Sequence, residues 1–168
     1  MSAMPVVVVM GVSGCGKTTV GPLLAEALGG TYVEGDSFHP AANVAKMSRG
    51  EPLDDDDRRP WLEAMAAAIA DWSRAGRDVV LSCSALKRRY RDILRTGAAD
   101  LRFAYLAGDR ATIAMRLAAR RGHFMPPTLL DSQFAALEPP GPDEALVVPV
   151  DRSPAEIAAV IAARLRGG

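Results

Sequence analysis

Residues Gly11 to Thr18 read GVSGCGKT and fit G-x-x-x-x-G-K-[ST] at every fixed position. The apolar run Val6 to Met10 precedes them, and an apolar stripe of Val20, Leu23, Leu24, Ala27 and Leu28 follows at helical spacing. Strand, glycine-rich loop and helix therefore come in the order a phosphate-binding loop requires. The glycines let the backbone turn its N–H groups inward around an anion, and the following helix adds the positive end of its dipole. Lys17 then reaches the outer phosphates, and the Thr18 hydroxyl is placed to ligate Mg²⁺. Pro22 removes one backbone donor inside that helix, so a local bend is expected there.

The rest of the composition narrows the class. At 168 residues the chain suits one domain with a full core, residues 1–168. Its 20 basic and 20 acidic side chains cancel, which argues against broad binding of nucleic acid or of an anionic membrane surface. Val6 to Val12 is too short to cross a bilayer and no signal-peptide pattern opens the chain, so a cytoplasmic location is expected. Cys15 and Cys83 match no metal or disulfide spacing and read as ordinary thiols. Only Lys17, Lys46 and Lys87 are lysines among the 20 basic residues, and His39, His123, Asn43 and Gln133 are equally scarce types. All seven fall in segments that look like site loops on other grounds. A lysine kept in an arginine-rich chain suggests a need for a compact ammonium.

Thr31 to Val33 reads as a short strand that runs into EGDSFHP, Glu34 to Pro40. In an open parallel sheet, ligands bind beyond the carboxyl ends of the strands, so Glu34, Asp36 and His39 should share a crevice with the phosphate loop. Residues 41 to 49 carry a helical pattern with Val44 and Met47 on one side. EPLDDDDRRPW reads as a loop leading into a helix, with Pro60 at an early helical position and Trp61, Met65 and Ile69 on the buried stripe. The run Asp54 to Asp56 reads as solvated acids near a helix start rather than as a metal site. Arg58, held by those aspartates, is a preorganised fork for a carboxylate.

Asp78 to Cys83 gives the third strand, and the basic helix RRYRDILR follows SALK. Tyr90, Ile93 and Leu94 form its buried side and most of its arginines a solvated face, while Lys87 lies near the strand end. Phe103 to Leu106 is the fourth strand. The next helix, marked by Ile113 and Leu117, ends in RLAARRGHFMPP, where Arg116, Arg120, Arg121 and His123 suggest a mobile lid over bound phosphates, residues 120–128. A helix through Leu129, Leu130, Phe134 and Leu137 stops at EPPGP. Leu146 to Val150 is the fifth strand, and Asp151 to Pro154 opens a last helix with Ile157, Val160, Ile161 and Leu165 buried. The expected fold is α/β, a five-stranded parallel sheet flanked by helices on both faces; the order of the strands is not readable.

With these residues in place the chain resembles the gluconate kinases of the small P-loop type, related in plan to shikimate and nucleoside monophosphate kinases. The resemblance rests on GVSGCGKT, on GDSFHP with Asn43 and Lys46-Met47, on Gly50, Pro52-Leu53 and DDDRRPW, on CSALK with YRD, and on RGHFMP followed by LL-x-SQF-x-x-LEPP. One departure is Glu34-Gly35-Asp36, where the family often has Asp-Gly-Asp; the longer Glu34 can still hold a magnesium-bound water.

The resemblance implies ATP-dependent phosphorylation of D-gluconate on its terminal hydroxyl, with Mg²⁺, in a homodimer. It assigns the nucleotide to Gly11, Ser13, Gly14, Cys15, Gly16, Lys17, Thr18 and Thr19, with Arg116 and Arg120 from the lid and Asp151 and Pro154 beside the adenine. Asp36 is expected to deprotonate the attacking hydroxyl and Arg58 to take the carboxylate. His39, Lys87, His123 and Gln133 are candidates for the acceptor's hydroxyl groups, and Thr18 with Glu34 for the metal. A GTPase is disfavoured because Asn43 is not followed by the guanine-reading Asn-Lys-x-Asp pattern. A non-catalytic nucleotide-binding protein is disfavoured because Asp36 and Arg58 are present. A shikimate-like or nucleoside monophosphate kinase is the nearest alternative.

Overall fold

The computed structural model describes residues 5–119 and 127–167. Strand β1 (Val7–Met10) is buried along its whole length, as an all-apolar strand must be when helices cover both faces of a parallel sheet. It lies at the centre of five parallel strands in the order β2-β3-β1-β4-β5. The others are β2 (Thr31–Glu34), β3 (Val79–Ser82), β4 (Arg102–Ala107) and β5 (Leu146–Pro149). The helices are α1 (Lys17–Leu28), α2 (Ala41–Ser48), α3 (Asp55–Arg74), α4 (Arg88–Arg95), α5 (Arg110–Ala119), α6 (Pro127–Ala136) and α7 (Pro154–Gly167). The order places β2 two strands from β1, which no local pattern could reveal.

Strand alternation divides the core in two. Val7 and Val9 face α1 and α7, against Val20, Leu24, Ile157 and Ile161. Val6, Val8 and Met10 face α3 and α4, against Trp61, Met65, Ile69, Tyr90 and Leu94. In α1 the inward line is Val20, Gly21, Leu24 and Ala25, while Ala27 is exposed, one position off the expected stripe. Helix α1 runs through Pro22 without a break. That proline lies on the exposed face, where water can serve the carbonyl its missing N–H leaves free. In α7, Val160 is only partly buried, and Ala158 and Ala162 take inward positions instead. Among the described residues no helix is long and apolar enough to cross a membrane.

Helix α4 departs further from expectation. Arg91 is among the largest fully buried side chains, at 1% exposure. Its guanidinium donates to the carbonyls of Ala85 (2.8 Å), Leu86 (3.2 Å) and Glu138 (2.8 Å) and pairs with the Glu144 carboxylate. Arg95 also donates to Glu144, at 2.8 Å. Two loops, one after β3 and one after α6, thus meet over a single side chain. Their backbone carbonyls need donors where water is excluded, and only a guanidinium presents enough of them in a plane.

Burial alone would raise the Glu144 pKa, but the bonds from Arg91 and Arg95 outweigh it and hold the carboxyl below its ordinary value. The pair therefore contributes stability above the usual carboxylate range that is lost as acid protonates the folded-state carboxyl. Arg91→Leu is expected to lower stability by about 3 kcal/mol, the low end for breaking a buried pair, because Arg95 still holds Glu144. In thermal unfolding that is a fall of roughly 10 °C in Tm. A variant within about 1 kcal/mol of wild type in urea unfolding would remove Arg91 from the supports of the fold.

Candidate active site

Three groups of side chains collect at the carboxyl ends of β1, β2 and β3. The first is the loop after β1. Gly14 (φ 85°) and Gly16 (φ 105°) adopt left-handed backbone that L side chains rarely tolerate, which turns the chain around a concavity. Gly16 caps α1 with no side-chain bond, and its carbonyl accepts from the Thr19 N–H (3.1 Å) and the Val20 N–H (2.8 Å), so the terminal turn begins at Lys17 and Thr18, where a helix offers backbone donors to an anion. The Lys17 ammonium folds over the loop and donates to the carbonyls of Gly11 (2.8 Å) and Val12 (3.1 Å). Positive charge is thereby fixed at the mouth of the loop. Cys15 is fully buried below it, and Thr18 and Thr19 are exposed.

The second group follows β2. The chain leaves Glu34 into a 3₁₀ turn, Gly35–Phe38, where a loop was expected. A Cβ on Gly35 would lie 2.2 Å from the Ser82 carbonyl oxygen, so only glycine lets the turn lie this close to β3. Trp61 Nε1 donates to the Gly35 carbonyl at 2.8 Å and fixes the turn from α3. The Asp36 side chain is left 87% exposed, whereas that of His39 is 5% exposed. The His39 ring stacks on Trp61, with centroids 4.2 Å apart.

Asn43 Nδ2 lies 2.8 Å from the Asp57 carbonyl, which can only accept, so that atom is the amide nitrogen. The same nitrogen lies 3.2 Å from His39 Nδ1, which must therefore accept and carry no proton. Nε2 holds the ring proton and points toward Asp36 Oδ1, 4.0 Å away. Burial lowers the His39 pKa, Asp36 opposes that and Arg58 adds to it. The folded form is thus neutral at pH 7, and its stabilising contribution is present above pH 6.5 and lost as pH falls through the lowered value. An NMR titration of the ring C–H signals should find His39 titrating below the ordinary 6.5; a value above it would contradict this hydrogen-bond assignment.

The third group lies between α3 and α4. Asp54 caps α3, accepting from the Asp57 N–H at 2.8 Å, while the Asp57 carboxylate accepts from the Asp54 N–H at 3.0 Å. The aspartate run is therefore the first turn of a helix, and Pro60 lies sixth in it rather than at its start. The capping box starts the helix earlier than the proline suggested. Asp57 also pairs with Lys46 at 2.6 Å. Arg58 is not held by the aspartates. Its Nη1 donates to Tyr90 Oη at 3.2 Å, and its guanidinium lies 5.6 Å from the Tyr90 ring centroid.

Lys87 and Arg89 also face that ring, at 5.7 and 5.9 Å. Asp55 is their shared carboxylate: it accepts from Tyr90 Oη and Arg89 and lies 3.5 Å from Lys87 Nζ. The Tyr90 bond, with Lys87 and Arg89, holds Asp55 below its ordinary pKa. Three cations on the Tyr90 ring, against the one carboxylate that bonds its hydroxyl, leave net positive charge in the group, the condition for receiving an anion.

Strand spacing sets the separation of these groups. β1 and β2 flank β3, so the strand ends that carry the phosphate loop and the Asp36 turn stand roughly 10 Å apart across the sheet. Cys83, at the end of β3, has its thiol pushed up to about 12 chiefly by burial; Lys17 and Asp36 both act on it electrostatically. Gly11 N donates to the Ser84 carbonyl at 3.3 Å, tying the phosphate loop to the same strand end. Arg116 donates to the Val150 carbonyl. Asp151 is exposed beyond β5, and Pro154 is the first residue of α7. Gln133 bonds to Ser13. Arg120, His123 and residues 120–126 of the expected lid lie outside the described residues; residues 127 and 128 begin α6.

Tyr90, Asp55, Arg89, Asn43 and Trp61 entered no sequence-based list of site residues. Asn43 carried a signal in its rarity, and Asp55, Trp61 and Tyr90 lie within the motifs DDDRRPW and YRD on which the resemblance rests. As single residues all but Asn43 belong to helical stripes or charge runs that read as packing or solvation.

A phosphate loop on the central strand of a five-stranded parallel sheet, with an exposed aspartate across the crevice, defines a small P-loop kinase. A family model described as an AAA domain matches residues 6–140. A gluconokinase of Gluconobacter oxydans is 51% identical over 140 residues, covering 83% of this chain and 79% of that protein. A thermosensitive gluconokinase of Escherichia coli is 47% identical over 144 residues, covering 86% and 77%. The crystal structure of a gluconokinase from Sinorhizobium meliloti superposes with a TM-score of 0.90 at 47% identity, over 99% of this chain and 94% of that one. The chain belongs to the gluconokinase family.

Proposed function

We infer that this protein transfers the terminal phosphoryl group of ATP to D-gluconate, giving 6-phosphogluconate and ADP. The observation that carries the reading is the identity of 47% with a gluconokinase along nearly the whole chain, at a TM-score of 0.90. The geometry supports it. Phosphoryl transfer asks a protein mainly for in-line positioning and for neutralisation of charge on the moving group.

In this reading the loop N–H groups and Lys17 hold the phosphates. Asp36 orients the terminal hydroxyl of the acceptor and takes its proton, which suits an exposed carboxylate. The cation group on Tyr90 receives the carboxylate at the other end of the acid. Mg²⁺ fits the donors available: the Thr18 hydroxyl and the Glu34 carboxylate are hard oxygen ligands, and a Mg²⁺ site takes much of its shell from phosphate and water. Among the described residues no group of three His, Cys, Asp or Glu side chains is placed to hold a metal unaided. When bound, the ion would neutralise charge on the transferring phosphates. Arg116 is proposed to act from α5 beside the lid and Arg120 and His123 from the 120–128 lid itself, Asp151 and Pro154 beside the adenine, and the active form to be a cytoplasmic homodimer of single-domain chains.

A panel of acceptors with ATP tests the reading: gluconate, glucose, shikimate, and AMP in separate coupled assays. Gluconate is expected to give the highest kcat/KM. A higher value with shikimate or AMP would assign the chain another acceptor.

A further inference from the structure

The loop's third and fourth residues are held by helices far away in the chain. The Ser13 N–H donates to Gln133 Oε1 at 2.6 Å, and Gln133 Nε2 donates to Ser13 Oγ at 2.7 Å. A backbone N–H can only donate, so the amide oxygen must face it and the amide's orientation is fixed. Gln133 belongs to α6, which is itself anchored: Leu130 is buried in the core, and the Glu138 N–H just beyond the helix donates to the Leu86 carbonyl at 2.7 Å. The next loop residue, Gly14, carries no side chain beneath α5, where a Cβ would lie 2.7 Å from Leu117. Two helices therefore grip consecutive residues of the loop.

A glycine-rich loop has many backbone conformations, and ordering them on binding costs affinity. A clamp already made in the protein lowers that cost. We propose that Gln133 is a positioning residue for the nucleotide, acting through Ser13 to hold the phosphate loop in its binding shape, and not a ligand of the acceptor's hydroxyl groups. The proposal rests on nucleotide binding at this loop, as the kinase reading requires.

Gln133→Leu removes both bonds with little change in volume. Calorimetry with ADP and with a nonhydrolysable ATP analogue, without gluconate, is expected to show affinity lowered about fivefold or more. The KM for gluconate at saturating ATP should stay within about twofold of wild type, and the Ser13 amide should exchange faster in the ligand-free protein. Gln133→Glu keeps an acceptor for the Ser13 N–H and another for its hydroxyl, so it should retain Ser13 protection and the gluconate KM even if the leucine variant folds poorly. Unchanged nucleotide affinity in Gln133→Leu, with or without a raised gluconate KM, overturns the proposal. Wild-type protein that binds no nucleotide would overturn the kinase reading as well, whereas wild type and variant binding equally well removes this proposal alone.

Discussion

Lys17→Ala is expected to lower kcat about a thousandfold while leaving the fold intact. Among the described residues the side chain's hydrogen bonds go to loop carbonyls and, more distantly at 4.0 Å, to the Cys15 sulfur. No core packing depends on it, so thermal unfolding should change little. In the proposed reaction its ammonium stands where charge builds up as a phosphoryl group moves, and removing one preorganised charge of this kind costs on the order of a hundred- to a thousandfold in rate. The loss should be greater in kcat than in nucleotide affinity, because loop N–H groups and the helix terminus still hold the phosphates. Single-turnover measurements on folded Lys17→Ala decide the matter. Turnover near that of wild type would end the assignment of this loop to catalysis.

The parts legible in the sequence are those whose signals are local. The strand, loop and helix around Gly11 to Thr18 show themselves by motif and period, and the strand-end rule brought Glu34 and Asp36 to the same edge of the sheet. What escaped depends on contacts between distant segments. Arg91 looks like any arginine of a basic helix; only the meeting of the Ala85–Leu86 and Glu138–Glu144 stretches over α4 turns it inward. Val44 and Met47 suggested an apolar side for α2, yet both are exposed and Asn43 is the buried residue. Asn43 takes that place because it bridges His39 to the Asp57 carbonyl. Asp55 and Tyr90 meet from positions 35 residues apart, each at the first turn of its helix. A pattern read along one helix carries no trace of the other.

Arg58 is expected to carry the second large effect, on the choice of acceptor. A linear sugar acid has its carboxylate at the far end from its terminal hydroxyl, so holding the acid end determines which hydroxyl reaches Asp36. The structure holds Arg58 by an aromatic face, with Tyr90 itself bonded to Asp55. One N–H is used on Tyr90, and the rest of the planar fork can pair with a carboxylate. Arg58 acts electrostatically on His39, as Asp36 does, so the guanidinium and the Asp36 carboxylate face the same crevice. Glucose has no carboxylate, and a site that leaves a desolvated cation unpaired rejects such a substrate by several kcal/mol. Wild-type protein should therefore prefer gluconate to glucose in kcat/KM by about a thousandfold or more. Arg58→Ala should lose most of that preference by lowering the gluconate value, with the glucose value little changed. Arg58→Lys should recover only a small part, since an ammonium keeps the charge but cannot form the two-bond fork. If Arg58→Ala discriminates as well as wild type, the carboxylate is held elsewhere in the Tyr90 group, and Lys87, 3.5 Å from the Asp55 carboxylate, is the side chain to substitute next.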